Sequence, residues 1–176
     1  ITGVTVIQSA LLYYYRYIFR EESAFQLALL VLLLAALLAI PLWVWAAKRI
    51  GKKLVWNIGM AIFATVILLF FFFGETAGVG ASYYFLSAAG IGFSTHYVMP
   101  FAILPDVVEY DADRNGVRRE GVFYGLWTFV SKLGQAIALL VSGWVLDIFG
   151  YVPAAVQTPS AEFGIRFLVG PVPALL

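Results

Sequence analysis

Lys132 stands near the middle of residues 122–146, a stretch otherwise free of charge and long enough to cross a bilayer. A lysine at that depth costs about 3 kcal/mol on insertion scales, so a partner or a polar cavity must offset it. Inside a helical bundle its ammonium could act as an ion partner, a proton relay or a substrate ligand. Just before this stretch, Asp106, Glu109, Tyr110, Asp111, Asp113, Arg114, Arg118, Arg119 and Glu120 crowd together. Mixed charge of this kind is ordinarily a solvated loop. Asp106 and Glu109, three apart at a helix end, share a face and could pair with arginines across a gap between helix bundles.

Placed on a helix, Gly121, Gly125, Thr128, Lys132, Gln135, Leu139 and Gly143 fall within about a third of the circumference. Phe123, Leu126, Val130, Leu133, Ile137 and Val141 occupy the opposite side. A small and polar stripe faces other helices or a watery cavity, not lipid. Lys132 lies roughly 15 Å from the cytoplasmic end of its span, at 1.5 Å rise per residue. That is too deep for the side chain to snorkel to the interface. Thr128 and Gln135 extend the polar stripe beside it. His96 sits in a patch of small and polar residues and could relay protons, although a histidine bonded between helices is the more ordinary role. Pro100 and Pro105 are expected to kink or end their helix. Gln8 and Tyr15 share a face of the first span and could line a pathway. The tyrosines around Arg16 and Arg20 are equally suited to an interfacial belt.

The elements that must hold these groups are membrane helices. The chain is 62% hydrophobic and 12% charged, against about 25% charged in soluble domains. Its mean hydropathy is +0.92. Spans of the required length read at about 1–19, 24–47, 54–74, 79–104 and 122–146, with a partial sixth at 163–176. All-α is the expected fold, because unpaired backbone groups are not tolerated in lipid. Leucine-rich runs such as 29–38 do not alternate as barrel strands would. The chain opens without Met and without a signal-peptide pattern, so it reads as an internal piece of a longer membrane protein. Lys48, Arg49, Lys52, Lys53, Arg114, Arg118 and Arg119 fall on one side, which should be cytoplasmic; Arg16, Arg20 and Arg166 fall on the other. Gly51 and Gly150 mark two turns 99 positions apart on opposite faces. That is the spacing inverted three-helix repeats of a secondary transporter would give.

Other classes fit less well. A net charge of +1 gives no reason to expect nucleic acid, and the absence of cysteine excludes disulfides and thiolate metal sites. No span holds paired carboxylates or a His-x-x-x-His spacing, so an enzyme is not expected. A retinal-type membrane receptor would also need a buried lysine, but no span carries an acidic counter-ion for it.

Several of these residues together resemble a known family. Asp106-Val107-Val108-Glu109-Tyr110, Val117-Arg118-Arg119-Glu120, Tyr124, Thr128 and Ser131-Lys132 are similar to the melibiose permease group. These are the glycoside–pentoside–hexuronide:cation symporters of the major facilitator superfamily. Tyr13-Tyr14-Tyr15, residues 48–56 and Gly150-Tyr151-Val152-Pro153 fit the same pattern. The resemblance covers nearly the whole chain. It implies the C-terminal six-helix bundle of a twelve-helix symporter, with the sixth helix truncated, working by alternating access in the plasma or inner membrane. It also implies that Lys132 lies beside a sodium or proton site whose carboxylates come from the N-terminal half, with no other cofactor. Asp106, Glu109 and Arg118 would join a cytoplasmic interdomain charge network. Tyr97, Trp127 and Thr128 would border the sugar, and Gln135 on the polar stripe is counted with them. Melibiose permease itself has tryptophan and glutamine where Tyr97 and Trp127 stand, so the likeness is to the family and not to that member. The expected partners are a small-molecule substrate, the coupling cation, membrane lipid and the N-terminal half. Because an animal lysophosphatidylcholine branch keeps a similar lysine, a lysophospholipid or other amphiphile is the alternative substrate class.

Overall fold

The structure, a computed structural model, describes residues 2–175, with the side chains of 2–4 and 8 set aside. Ile1 and Leu176, which end the first and last expected spans, and the Gln8 side chain lie outside the described residues. Among those residues every regular element is helical. Helix α1 spans Thr2–Tyr13 and widens into a π-helical turn, Tyr14–Ile18. Then follow α2 (Ala24–Ile50), α3 (Lys52–Asn115), α4 (Glu120–Ile148), α5 (Pro159–Val169) and α6 (Pro171–Leu175). Three of them, α2, α3 and α4, are long and apolar enough to cross a membrane.

Helix α3 is a hairpin. It breaks at Gly78, whose φ of 80° and ψ of 177° belong to a region open essentially to glycine. Arms 52–77 and 79–115 then run antiparallel, as paired contacts walking outward from Gly78 demonstrate. The Phe70 and Phe85 ring centroids are 5.8 Å apart, as are those of Phe63 and Phe93. At the far end Lys52 Nζ lies 2.6 Å from Asp106 Oδ2.

Small residues set how closely these helices approach. A Cβ added at Gly92 would stand 2.6 Å from the Gly59 carbonyl oxygen, and one at Gly90 would stand 2.3 Å from that of Leu32. Both sites need glycine for backbone contact, the usual means of packing helices where no hydrophobic effect drives association. The Trp43 indole N–H donates to the Ile91 carbonyl at 2.7 Å, tying α2 to the second arm. Val6, Leu11, Tyr14, Phe70, Ile165 and Leu168 fill the main core between α1, α3 and α5. The opposite surface of α2 presents exposed Leu30, Leu37, Leu38 and Leu42, a face suited to hydrocarbon.

The structure corrects four details of the sequence reading. First, the charged segment is helix, not loop, as far as Asn115: α3 continues through both Pro100 and Pro105. Near the second proline, Lys52 Nζ donates to the Ala102 carbonyl at 2.8 Å. The helix ends only at Gly116, where a φ of 68° forms a left-handed cap and the amide reaches the Ala112 carbonyl. Asp106, Glu109 and Asp111 therefore ride on the last turns of a rigid element. Second, Tyr15 is fully buried and its hydroxyl bonds the Ser82 hydroxyl, so it lines no pathway. Third, Glu75 is helical, and the connection between the third and fourth spans shrinks to Gly78 itself. Fourth, residues 163–175 hold parts of two helices, because Gly170 with Pro171 interrupts the run and Gly170 lies against Phe71.

Candidate functional site

Helix α4 joins the bundle mainly through α1. In its second half, buried Ala138 and Ser142, with Val145 and Leu146, pack against the core. Toward its start the same face draws away and leaves an open cleft of about 420 Å³. The cleft is lined by Tyr124, Trp127, Thr128, Ser131, Lys132 and Gln135 from α4, by His96, Tyr97 and Phe101 from α3, and by Thr5 from α1.

All the residues expected at a substrate and ion site, Tyr97, Trp127, Thr128, Lys132 and Gln135, thus meet in one cavity. They come from two helices, with Tyr97 thirty positions before Trp127 in sequence. The stripe on α4 differs in detail from the one read on a helical wheel. The residues that lead the inward face are Tyr124, Trp127, Ser131, Ala138 and Ser142, a rotation of roughly 90° at 3.6 residues per turn. Thr128, Lys132 and Gln135 stand on its edge. Nothing lies within 4 Å of a Cβ built at Gly121, Gly125 or Gly143, so within this chain those glycines serve no helix contact. Thr5, Phe101, Tyr124 and Ser131 were not singled out as site residues. For the α4 pair, the spacing 124, 127, 128, 131, 135 was a sufficient signal; no sequence pattern points to Thr5 or Phe101.

Lys132 is the one lysine, arginine, aspartate or glutamate among the lining residues, and its side chain is open to the cleft. Among the described residues it has no ion pair. Four aromatic rings and three hydroxyl or amide side chains on α4 surround it, a composition that presents both stacking faces and hydrogen-bonding groups to a polar ligand.

The expected charge network is arranged differently. Asp106 pairs with Lys52, and Arg118 pairs with Glu120 at 2.9 Å. Arg119 grips Asp111 through two bonds of 2.7 and 3.0 Å. Asp106, Glu109 and Arg118 are therefore not joined to one another within this chain. All three are exposed, and exposed pairs contribute about 0–1 kcal/mol each. The Lys52–Asp106 contact sets the basic turn and the acidic end of α3 side by side at one end of the bundle. The other end carries its own ties: Arg166 to Glu75, and Tyr151 donating to the Tyr17 hydroxyl at 3.0 Å.

Long apolar helices bracketing a polar, lysine-bearing cleft are the architecture of an integral, multi-pass membrane carrier. All of residues 1–176 match the MFS/sugar transport protein family, and the chain belongs to it, among the glycoside–pentoside–hexuronide:cation symporters of the major facilitator superfamily. Over 168 residues the chain is 33% identical to a glucuronide carrier protein homolog of Escherichia coli K12, covering 95% of this chain and 36% of that protein. It is 32% identical over 165 residues to the sodium-dependent lysophosphatidylcholine symporter 1-B of Danio rerio, covering 90% and 30%. A sphingosine-1-phosphate transporter of Xenopus tropicalis is 30% identical over 159 residues, covering 88% and 30%. The chain spans about a third of the length of these relatives. Membership in a transporter family sets aside the retinal-receptor reading of Lys132.

Proposed function

We propose that this chain is the C-terminal half of a cation-coupled symporter that carries a sugar or glycoside by alternating access, driven by sodium or protons, in the plasma or inner membrane. The observation that carries the reading is the Lys132 cleft. Its aromatic rings suit the apolar faces of a pyranose, and Thr128, Ser131 and Gln135 suit its hydroxyls. At about 420 Å³ the cleft is in the size range of small-molecule sites, and it is open on the side where a second half would close it. Lys132 favours a substrate with an acidic group, in keeping with the relative named a glucuronide carrier homolog. With no carboxylate in the cleft, the counter-charge for Lys132 in the empty carrier comes from the N-terminal half. Exchange of partners at this ammonium, between those carboxylates and the substrate, links ion and substrate binding.

A second reading, transport of an amphiphile, is favoured by one observation. The bundle also holds an apolar groove of about 320 Å³, lined by Ile7, Leu11, Phe25, Leu29, Leu32, Leu33, Phe63 and Phe93. Phe93 of the groove contacts Tyr97 of the cleft, ring centroids 5.1 Å apart. Two relatives are named for lysophosphatidylcholine and sphingosine-1-phosphate.

Counterflow in vesicles containing the full-length carrier separates the two readings. 4-Nitrophenyl glucuronide should exchange, and an imposed sodium or proton gradient should drive its accumulation. Exchange of lysophosphatidylcholine alone would establish the second reading. Glucuronide exchange that no ion gradient stimulates would reject coupling.

A further inference from the structure

The end of the bundle opposite Lys52, which the distribution of basic residues makes the outer one, holds a second cavity of about 410 Å³. That volume is in the range of small-molecule sites. Three segments form it: the π-helical turn with Arg20 just beyond it, the connection 152–157, and the first turn of α5. Arg16, Arg20 and Glu162 bring charge to its lining, and Ala154, Ala155 and Val156 bring apolar surface.

The backbone around this cavity is irregular in three places. Tyr14–Ile18 form the π-turn, a feature frequent at functional sites. Among the described residues Arg20 and Ala154 are the non-glycine residues with positive φ, 57° each, and both line the cavity. Such conformations persist only where the surroundings hold them. At Ala154 the hold is Tyr17, whose hydroxyl oxygen accepts from the Ala154 amide at 3.2 Å and from the Tyr151 hydroxyl at 3.0 Å. Gln157 closes the connection on itself. Its side chain accepts from the Val152 amide at 3.2 Å and donates to the Val152 and Ala155 carbonyls at 2.7 and 2.8 Å. A loop fixed in this way has little order left to gain when a ligand binds.

The charges are not spent on one another. Arg16 Nε reaches Glu22 at 3.5 Å, longer than a charge-assisted hydrogen bond. Among the described residues Arg20 and Glu162 have no ion pair. Two guanidiniums suit the oxygens of a phosphate, and a carboxylate suits an ammonium. A zwitterionic group that carries both satisfies all three side chains. The surroundings favour its arrival on a lipid. Tyr13, Tyr17 and Tyr151 pack as a cluster with ring centroids 5.3, 5.5 and 6.3 Å apart, and amphipathic rings of this kind gather at headgroup depth. Val152 and Val156, 56% and 91% exposed, project from the same connection. Bare valines beside charged groups suit the boundary between headgroups and acyl chains.

We propose that this cavity holds the headgroup of an outer-leaflet phospholipid of the phosphatidylethanolamine type, its phosphate between Arg16 and Arg20 and its ammonium at Glu162. The cavity shares no residue with the Lys132 cleft. The lipid is a resident ligand there and not a cargo, and it ties the outer end of α1 to α5.

The test uses delipidated full-length carrier in detergent, titrated with phosphatidylethanolamine or phosphatidylglycerol and read by native mass spectrometry. Wild type should bind one phosphatidylethanolamine more tightly than any phosphatidylglycerol. Arg16→Gln and Arg20→Gly should each weaken that binding at least tenfold, roughly the loss expected when a hydrogen bond to a charged group is removed. Glycine accepts a positive φ, so Arg20→Gly should melt no lower than wild type before lipid is added. Glu162→Gln should bind the two lipids alike, and Lys132→Gln should bind phosphatidylethanolamine as wild type does. Wild-type affinity in folded Arg16→Gln or Arg20→Gly would overturn the proposal, as would a wild type without preference between the lipids. Loss of the lipid in Lys132→Gln would also overturn it and place the lipid in the cleft. Displacement by free phosphoethanolamine at concentrations equal to the lipid's would do the same and make the site one for a soluble ligand.

Discussion

At the scale of single residues, the cleft makes Lys132 and Thr128 separable. A buried ammonium is tolerable only with a counter-charge or a polar cavity, and Lys132 has the cavity in this half. Lys132→Ala or Lys132→Gln should lower ion-driven uptake at least tenfold, about 1.4 kcal/mol, while the protein still inserts and folds. Arginine should rescue poorly, because a planar, permanently charged fork differs from a compact ammonium that changes partners. Thr128→Val removes one hydroxyl and should weaken substrate affinity by about 1 kcal/mol, the usual net worth of a hydrogen bond, before it affects coupling. Gradient-driven uptake and counterflow, measured in the same vesicles with expression checked, distinguish the two effects. Wild-type ion stimulation in Lys132→Ala would return the lysine to a structural role.

At the scale of elements, α3 is both scaffold and lever. Its second arm carries His96 and Tyr97 to the cleft and Asp106 and Glu109 to the end of the bundle, on one continuous helix. Close backbone packing fixes that arm against α2, since a methyl group at Gly90 would collide with the Leu32 carbonyl. Gly90→Ala should therefore destabilise the carrier by about 1–3 kcal/mol, the usual cost of overpacking. A lowered melting temperature in detergent would show it, and an unchanged one would mean that α2 gives way freely. The helix also explains how charge at its end can act on the cleft. Arg118, exposed just beyond that helix and paired with Glu120, would exchange that partner for one on the other half in the proposed reading. Arg118→Ala should shift the carrier toward the inward-open state by roughly 1–3 kcal/mol, lowering turnover more than affinity. Cytoplasmic cysteine probes should then label faster; an unchanged labelling rate would argue against a latch.

At the scale of the whole molecule, the proposed reading makes the chain a half that requires its partner. The cleft is open along one side, α4 is covered by little of this chain, and Lys132 has no counter-ion here. Vesicles holding only residues 1–176 should show no sodium- or proton-driven uptake. Co-expression with the N-terminal half should restore it if the two bundles assemble over the cleft and the exposed face of α4. Driven uptake by this chain alone would mean that the ion site lies within it.

Class, helical content and the presence of a lysine in the candidate cleft were legible in the sequence because each follows from a local rule. Apolar runs of about twenty residues must be helices in lipid, and a lysine inside one must face something polar. Tyr97 and Trp127 were named through resemblance, and Thr128 and Gln135 through their spacing from Lys132. Other features depend on partners distant in sequence. Tyr15 looked like a pathway residue until Ser82, 67 positions away, closed over it. The charged segment looked like a loop because composition alone cannot tell a solvated loop from a helix end. Two prolines strengthened that impression, but a proline removes only one amide, and packing against the first arm with a bond from Lys52 keeps α3 helical to Gly116. The rotation of α4 was likewise beyond a helical wheel, which weighs polarity and not contact. Only the docking of its second half on α1 decided that Tyr124 and Ser131 face inward and that His96 and Lys132 line one cleft.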